Sequence, residues 1–355
     1  MMQTLAIFRD AYRELNHKKL FWIVLVISGL FVASFGAVGV NEKGVSILWW
    51  NIESAIFNTA LMPRPVFYKT MFATLGVGVW LTWGATILAL ISVSSLIPDF
   101  VASGSVDLTL SRPIGRVRLF LTKYLAGLLF VALQVAVFTL ASFLVIGIRG
   151  RAWEPGLFWC IPLVLLFFSY LYAVCTFVGL LTRSTIAALL VTMLVWLALF
   201  GLHSSETIFL GLRIRDDLRI EQLDKDLDRA RSRGDTTERI DRKRAEIVDS
   251  SRMIRNTHRA FFGVKSVLPK TKETVGVLER VLISQADIDQ LQRDDLPPPI
   301  VSLDPDDVRI SGKELQKRMI AQERGRPLWW IIGTSLGFEA LLLGAACWVF
   351  ARRDF

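Results

Sequence analysis

Cysteine and histidine are scarce in this chain of 355 residues, and their spacing excludes several kinds of site. All three cysteines lie in hydrophobic runs and none belongs to a CxxC pair, so neither a disulfide framework nor a metal site is predicted. The three histidines are isolated in sequence, which favours structural roles. The chain also lacks a G-x-x-x-x-G-K-[ST] motif, and SGKELQK at 311–317 has the wrong spacing. No cofactor, no catalytic residue and no ATP hydrolysis are therefore predicted for this chain itself.

Long hydrophobic runs dominate what is present. Hydrophobic residues make up 53% of the chain, which is typical of a membrane protein. A helix needs about 20 apolar residues to cross a hydrocarbon layer of roughly 30 Å. Windows of that length lie at 20–40, 70–98, 124–148, 155–182, 184–205 and 327–351. The predicted fold class is an all-α polytopic membrane protein with six transmembrane helices.

The charge distribution predicts an orientation. The net charge is +9, and its positive excess lies in the membrane part, because segment 206–326 holds nearly equal numbers of acidic and basic residues. The short loops on the side of the membrane that holds the N terminus carry more Lys and Arg than the short loops on the opposite side. This difference predicts cytoplasmic termini in a cell inner membrane. Attraction to anionic lipid explains the basic balance, and no basic cluster suited to nucleic acid is present.

Two segments outside the spans have helical patterns. Residues 1–19 place Leu5, Phe8 and Tyr12 on one face, which predicts an N-terminal amphipathic interfacial helix; a cleaved signal peptide is the alternative. Residues 49–65 predict a second short interfacial helix or a re-entrant piece, ended by Pro63 and Pro65.

Segment 206–326, between helices five and six, predicts a mostly helical extracytoplasmic insert. A narrow apolar stripe over 216–233, a break at Gly234, and isoleucines every seven residues from Ile240 indicate an antiparallel helical hairpin. A solvated charged linker is the alternative. Residues 261–283 predict a helix that packs on the membrane surface, and the proline-rich stretch after it predicts extended chain with one or two short strands.

The predicted organisation has four parts. They are the interfacial helix at 1–19, helices one to five at 20–205 with a cytoplasmic coupling segment at 98–118, the insert at 206–326, and helix six with a cytoplasmic tail at 327–355.

The coupling segment carries acids, cations and a proline between two spans. Asp99 and Asp107 lie on its first part. Ser111 and Pro113 predict the N-cap and first turn of the next helix. On that helix Arg112, Arg116 and Lys123, at offsets of four and seven, predict one cationic stripe. The plain alternative is that these cations anchor the span to lipid headgroups.

The string SGSVDLTLSRPIGRVRLFLTKYLAG resembles the cytoplasmic loop of permease subunits of ABC exporters of the second type (ABC-2). The family pattern is of the kind LLSRPISR…L…GKYLG, and ten positions match it: Leu110, Ser111, Arg112, Pro113, Ile114, Arg116, Lys123, Tyr124, Leu125 and Gly127. The resemblance covers roughly the 230 membrane residues and excludes the hairpin. The chain departs from the family where IPDF leaves Asp99 as the single acid, and where Thr122 replaces the glycine before the lysine.

The resemblance implies an export permease coupled to a separate ABC ATPase subunit, which would bind the ATP and Mg. The residues implied to couple to it are Asp99, Asp107, Ser111, Arg112, Pro113, Arg116 and Lys123. Six spans form half of a transporter, so a second permease copy or a paralogue is an expected partner. The outer segment suits an accessory protein as well as a substrate, and substrate identity does not follow from the sequence.

Polar residues at membrane depth are the remaining candidates. Glu339 lies near the middle of the last span and Gln134 lies in the third. An acid there needs a partner, a water-filled cavity or the protein interior. The functional interpretation is an acid on a substrate path or subunit interface, and the structural one is a buried acid bonded to a neighbour such as Gln134. Two other classes stay open: a membrane anchor or scaffold whose outer hairpin binds a partner, and a membrane enzyme that uses Glu339.

Overall fold

The computed structural model describes residues 19–41, 44–47, 50–53, 63–102, 115–283 and 312–352. Within these ranges, five helices are long and apolar enough to cross a membrane: Arg64–Val101, Arg116–Gly150, Pro155–Thr182, Thr185–Arg233 and Trp329–Arg352. A sixth apolar helix, Phe21–Ala37, is shorter. The chain is therefore a helical, membrane-embedded protein. Residues 1–18 of the predicted interfacial helix and the predicted strands after residue 295 lie outside the described residues.

A small sheet follows the first helix. Helix α1 (Lys19–Ala37) leads into β1 (Val38–Asn41), β2 (Gly44–Ile47) and β3 (Trp50–Glu53), which pair antiparallel in that order. The register sets Val38 opposite Ile47 and Ile47 opposite Trp50. β-Branched residues, which favour strands, recur through this stretch.

The prediction of a helix from residue 49 is therefore wrong for β3, where a strand is formed. Residues 54–62 lie outside the described residues, so the rest of that prediction is untested; Pro63 is the N-cap of the next helix and Pro65 lies in its first turn. A proline is tolerated in a first helical turn because its missing N–H needs no partner there.

The second span changes its winding along its length. It consists of α2 (Arg64–Met71), a π-helical stretch (Phe72–Ala85), α3 (Thr86–Val93) and, after a short turn, α4 (Leu96–Ala102). In the π-helical stretch Thr82 Oγ1 donates to Val77 O, five residues back, at 2.7 Å. A Cβ on Gly84 would lie 2.7 Å from the Trp80 ring, so this winding needs glycine there.

Spans three to five are joined tightly. Helix α5 (Arg116–Gly150) is followed by a 3-10 turn (Pro155–Trp159), α6 (Cys160–Thr182) and α7 (Thr185–Arg233). The predicted tight turn between α6 and α7 is confirmed, with Arg183 in the left-handed region at φ 53°. The predicted start of α5 is wrong. Its N-cap is Gly115, in an extended conformation, so neither Ser111 nor Pro113 begins this helix.

The chain forms two compact units. The first comprises residues up to Leu197 together with 270–291 and 335–355, and the second comprises 198–269 and 292–334. In the first unit, α9 (Thr271–Leu282) packs against α6, and α11 (Thr334–Arg352) is the last described helix. The single helix predicted for 261–283 is wrong, because the chain leaves helical geometry at Leu268 and Pro269 follows it.

The second unit contains a helical hairpin. Helix α7 turns at Gly234, which has φ 75°, into α8 (Glu238–Val267). Ion pairs join Asp217 to Arg255 and Asp224 to Arg244, which is an antiparallel arrangement. Helix α10 (Gly312–Arg324) packs Leu315 and Met319 against an apolar stripe of α7: Leu210, Ile214 and Leu218. The hairpin is formed as predicted, and its location outside the membrane stays a prediction.

Candidate functional site

One end of the first unit holds four helices together through a common apolar cluster. α4, α5, α6 and α11 all contribute buried side chains to this basal cluster, which comprises Ile97, Phe100, Val101, Leu119, Phe120, Leu180, Ala346 and Phe350. The rings of Phe120 and Phe350 lie 5.6 Å apart. A Cβ on Gly179 would lie 2.9 Å from Pro98 Cγ, so α6 approaches α4 as closely as it does only because residue 179 is glycine. The short helix α4 is therefore fixed to three spans.

The cations at this end are in different environments. Arg116 Nη1 donates to the Ala351 carbonyl at 3.2 Å, which ties the start of α5 to the end of α11. Lys123 is buried, and its Nζ lies 4.9 Å from the centre of the Phe100 ring. Cation–π contacts of this kind contribute about 0.5–2 kcal/mol. Lys123 thus faces the basal cluster, and the cationic stripe as a whole stays a prediction because Arg112 lies outside the described residues.

The remaining predicted coupling residues divide into two groups. Asp99 is exposed on α4, and Thr185 Oγ1 lies 3.5 Å from its Oδ1. Asp107, Ser111, Arg112 and Pro113 lie outside the described residues. The structure thus brings Asp99, Arg116 and Lys123 to the same end of the bundle, through α4 and α5.

Glu339 lies in a polar cluster formed by three helices. Its side chain on α11 is buried, with Tyr124 Oη on α5 at 2.9 Å from Oε1 and Ser169 Oγ on α6 at 2.9 Å from Oε2. The partner suggested by sequence, Gln134, is not one of them. Insertion of an ionised acid at membrane depth costs about 2.5–3.5 kcal/mol even on insertion scales. The hydrogen bonds from these two hydroxyl groups therefore stabilise the Glu339 carboxyl group in its buried position.

Aromatic packing fixes the hydroxyl of Tyr124. The rings of Tyr124 and Tyr172 stack at 4.9 Å with 10° between their planes. A Cβ on Gly127 would lie 2.5 Å from Tyr172 Oη, so the stack requires glycine at a position that also matches the family pattern. Lys123, Tyr124 and Gly127 therefore have structural reasons to occur together on α5.

Gln134 lies at a different site on α5. It is 6% exposed and lines a cavity that also exposes Ser28 and Thr86 among apolar side chains. Its Nε2 has no hydrogen-bond partner within the described part of the chain. Leaving a buried amide N–H unsatisfied costs about 1–3 kcal/mol. Gln134 is thus a buried side chain with an unsatisfied hydrogen-bond donor, at a site separate from Glu339.

An ion network that the sequence analysis missed lies in the second unit. Glu206 on α7 is fully buried, and its carboxylate accepts hydrogen bonds from Lys265 Nζ at 2.8 Å and from the Arg326 guanidinium. His258 Nε2 lies 3.4 Å from Glu206 Oε1, and His203 Nδ1 lies 3.0 Å from Lys265 Nζ. The available signal was the seven-residue spacing of 258 and 265, which places both side chains on one face of α8.

Two further contacts shape this network. The Arg326 guanidinium lies over the rings of Phe262 and Trp330, which stack 5.3 Å apart. Burial holds the pKa of His258 below its usual range, although the nearby Glu206 carboxylate opposes the shift. Burial therefore favours the neutral form of the His258 imidazole, next to a carboxylate that Lys265 and Arg326 already contact.

Comparison with known proteins adds no relative. No family model, no curated protein and no solved structure matches this chain. Functional conclusions therefore depend on the residues and contacts described above.

Proposed function

We propose that the chain is the membrane-spanning permease subunit of an ATP-driven exporter of the ABC-2 type. ATP and Mg would bind to a separate ATPase subunit, and a second permease copy or a paralogue would complete the transport path. The observation that carries this proposal is the string from Leu110 to Gly127, which matches the family pattern, begins between two spans and continues into the second of them.

The packing around that string supports the proposal. α4 precedes it and α5 begins within it, at Arg116, and both helices contribute to the basal cluster together with α6 and α11. Packed apolar interiors are dense and transmit displacement as rigid bodies. A subunit that pushed on the loop between α4 and α5 would thus move four helices at once.

The expected orientation follows from the same proposal. The coupling loop, Asp99 and both termini would face the cytoplasm of the inner membrane, and the α7–α8 hairpin would face outward. Labelling tests this orientation: Lys225→Cys, exposed on α7, should react with a membrane-impermeant thiol reagent in intact cells. Labelling only after the cells are opened would reverse the orientation.

The function is tested by purifying the chain in mild detergent and identifying the proteins that remain bound. The expected result is an ABC ATPase whose ATP hydrolysis changes when the permease is present. Arg112→Glu should weaken this association at least tenfold, because a docking cation becomes an acid. Arg112 is preferred to Arg116 for this test, since Arg116 also bonds Ala351 O within the chain.

The matched control is Arg151→Glu, which reverses a charge just beyond the other end of α5. It should leave the association unchanged. If the purified chain carries no ATPase, or if both reversals have the same effect, the exporter proposal fails. Retention of an outer partner by the Arg112 variant without any ATPase would instead favour the scaffold alternative.

A further inference from the structure

The oxygen–oxygen contacts around Glu339 outnumber the hydroxyl protons that can form hydrogen bonds in them. Tyr124 Oη lies 2.9 Å from Glu339 Oε1 and 3.1 Å from the Ser169 carbonyl oxygen. Ser169 Oγ lies 2.9 Å from Glu339 Oε2 and 2.9 Å from the Leu166 carbonyl oxygen. Each hydroxyl has one proton to donate. With an ionised Glu339, two protons would serve four oxygen–oxygen contacts.

A proton on the carboxyl group relieves this shortage. Glu339 can then donate from Oε1 to Tyr124 Oη, Tyr124 to the Ser169 carbonyl, and Ser169 Oγ to Glu339 Oε2. Each of the three groups donates one proton in this arrangement, and the chain of bonds links α11 to α5 and back through α6. An ionised Glu339 would leave Tyr124 Oη and the Ser169 carbonyl 3.1 Å apart with no proton between them.

The electrostatic surroundings favour the same state. Glu339 is 7% exposed and makes no ion pair within the described ranges. The other titratable groups near it are the phenols of Tyr170 and Tyr172 on α6. One buried cation, Lys270, precedes α9, and its backbone N–H donates to Ser335 Oγ, one turn before Glu339. A buried carboxylate that no cation compensates is unfavourable, whereas the neutral acid is not.

We propose that Glu339 is a proton-binding site: its carboxyl group is neutral at neutral pH and donates its proton to Tyr124, which holds α11 against α5 and α6. This inference does not depend on the exporter function. The ligand of the Glu339 carboxyl group in this proposal is a proton, which exchanges with water.

The site links helix movement to proton release. A glutamate exposed to water is ionised at neutral pH. Separation of α11 from α5 and α6 would bring Glu339 into contact with water or other polar groups, so the separated state binds one proton fewer. By linkage, a rise in pH must then favour separation and a fall in pH must favour the closed contact.

Infrared difference spectroscopy tests the protonation directly. The full chain in lipid nanodiscs at pH 7 is compared with Glu339→Gln. The expected difference is loss of the C=O stretch of a protonated carboxyl group. Glu154→Gln is the matched control, because Glu154 is partly exposed and ion-paired to Lys69 at 2.8 Å. Its substitution should remove carboxylate bands only. Loss of carboxylate bands in Glu339→Gln would overturn the proposal.

A thermal measurement tests the linkage. The melting temperature of the native chain should fall more between pH 7 and pH 9.5 than that of Glu339→Gln, since glutamine cannot lose a proton. Equal falls would overturn the linkage. If Glu339→Gln does not fold, Tyr124→Phe replaces it in the infrared experiment. Removal of the phenol oxygen should shift the protonated carboxyl band, and an unchanged band would contradict the proposed hydrogen bond.

Discussion

Replacing Glu206 with glutamine should destabilise the second unit far more than its single charge suggests. The side chain is 1% exposed, so solvent does not screen its contacts with Lys265 at 2.8 Å and with Arg326. Glutamine has nearly the same shape and keeps one oxygen, so the substitution changes charge and hydrogen bonding rather than packing.

The magnitude follows from the two charged contacts. Hydrogen bonds to charged groups contribute about 1.5–3 kcal/mol each. Removal of one partner from a buried ion pair costs about 3–5 kcal/mol, because the opposite charge stays in a poorly solvated place. For Glu206→Gln we therefore expect a loss of about 3–5 kcal/mol in the opening free energy of this unit.

Hydrogen–deuterium exchange gives the necessary local readout. Helix α8 carries both Lys265 and His258. Protection of its backbone amides from exchange therefore reports opening of the ion network. The matched control is Glu221→Gln on the same helix. Glu221 also contacts two cations, Lys225 at 2.9 Å and Arg318, but these side chains are 39–62% exposed, against 1% for Glu206. Exposed ion pairs contribute little, so this control should change protection only slightly.

If Glu206→Gln and Glu221→Gln reduced the protection of α8 to the same extent, burial of the network would have no energetic consequence. The conclusion that Glu206 organises the second unit would then be wrong.

Three further predictions concern other sites. Because the pKa of His258 is depressed, the unfolded state binds its proton first, so the second unit should lose stability as pH falls through about 6.5; exchange of α8 amides at pH 7 and pH 5.5 checks this, and His258→Gln should remove the dependence. Gly127→Ala should destabilise the chain by about 1–3 kcal/mol through overpacking against Tyr172, whereas Gly29→Ala, where a Cβ meets nothing within 4 Å, should not; thermal unfolding compares the two. Gln134→Leu should stabilise the fold by about 1 kcal/mol in the same assay, because a buried unpartnered amide is removed.

Hydropathy predicts most of the helices because a membrane span needs only length and low polarity. The windows at 155–182 and 184–205 match α6 and the first part of α7 closely. The sheet after α1 was missed, since strands of four residues with glycines carry little periodicity. The predicted start of α5 differs from the observed one because Ser111 and Pro113 form a good capping signal in the sequence, whereas the N-cap of this helix is Gly115, a residue type with no side chain to signal it.

Site residues were predictable as polar exceptions in apolar surroundings, but their partners were not. Glu339 and Gln134 stand out in their spans, yet nothing local indicates that Tyr124 and Ser169 serve Glu339 while Gln134 lines a cavity. Glu206 does not stand out in the sequence in this way. It lies at the end of a hydrophobic run and among many charges, so its partners Lys265 and Arg326, 59 and 120 residues away, give no signal along the chain.

The basal cluster and the Glu339 cluster share three helices, α5, α6 and α11, which gives the two proposals a common physical basis. On α5, Phe120 of the basal cluster is four residues from Tyr124; on α11, Ala346 is seven residues from Glu339; on α6, Leu180 is eleven residues from Ser169. At 1.5 Å per residue these separations are about 6, 10 and 16 Å along continuous helices. A hydrogen bond of 2.9 Å does not tolerate a shift of even 1 Å. A force applied at the base must therefore either move α5 and α11 together as one rigid body or break the Glu339 contacts. In the second case a proton leaves Glu339, so proton release and helix movement become two measurements of one event.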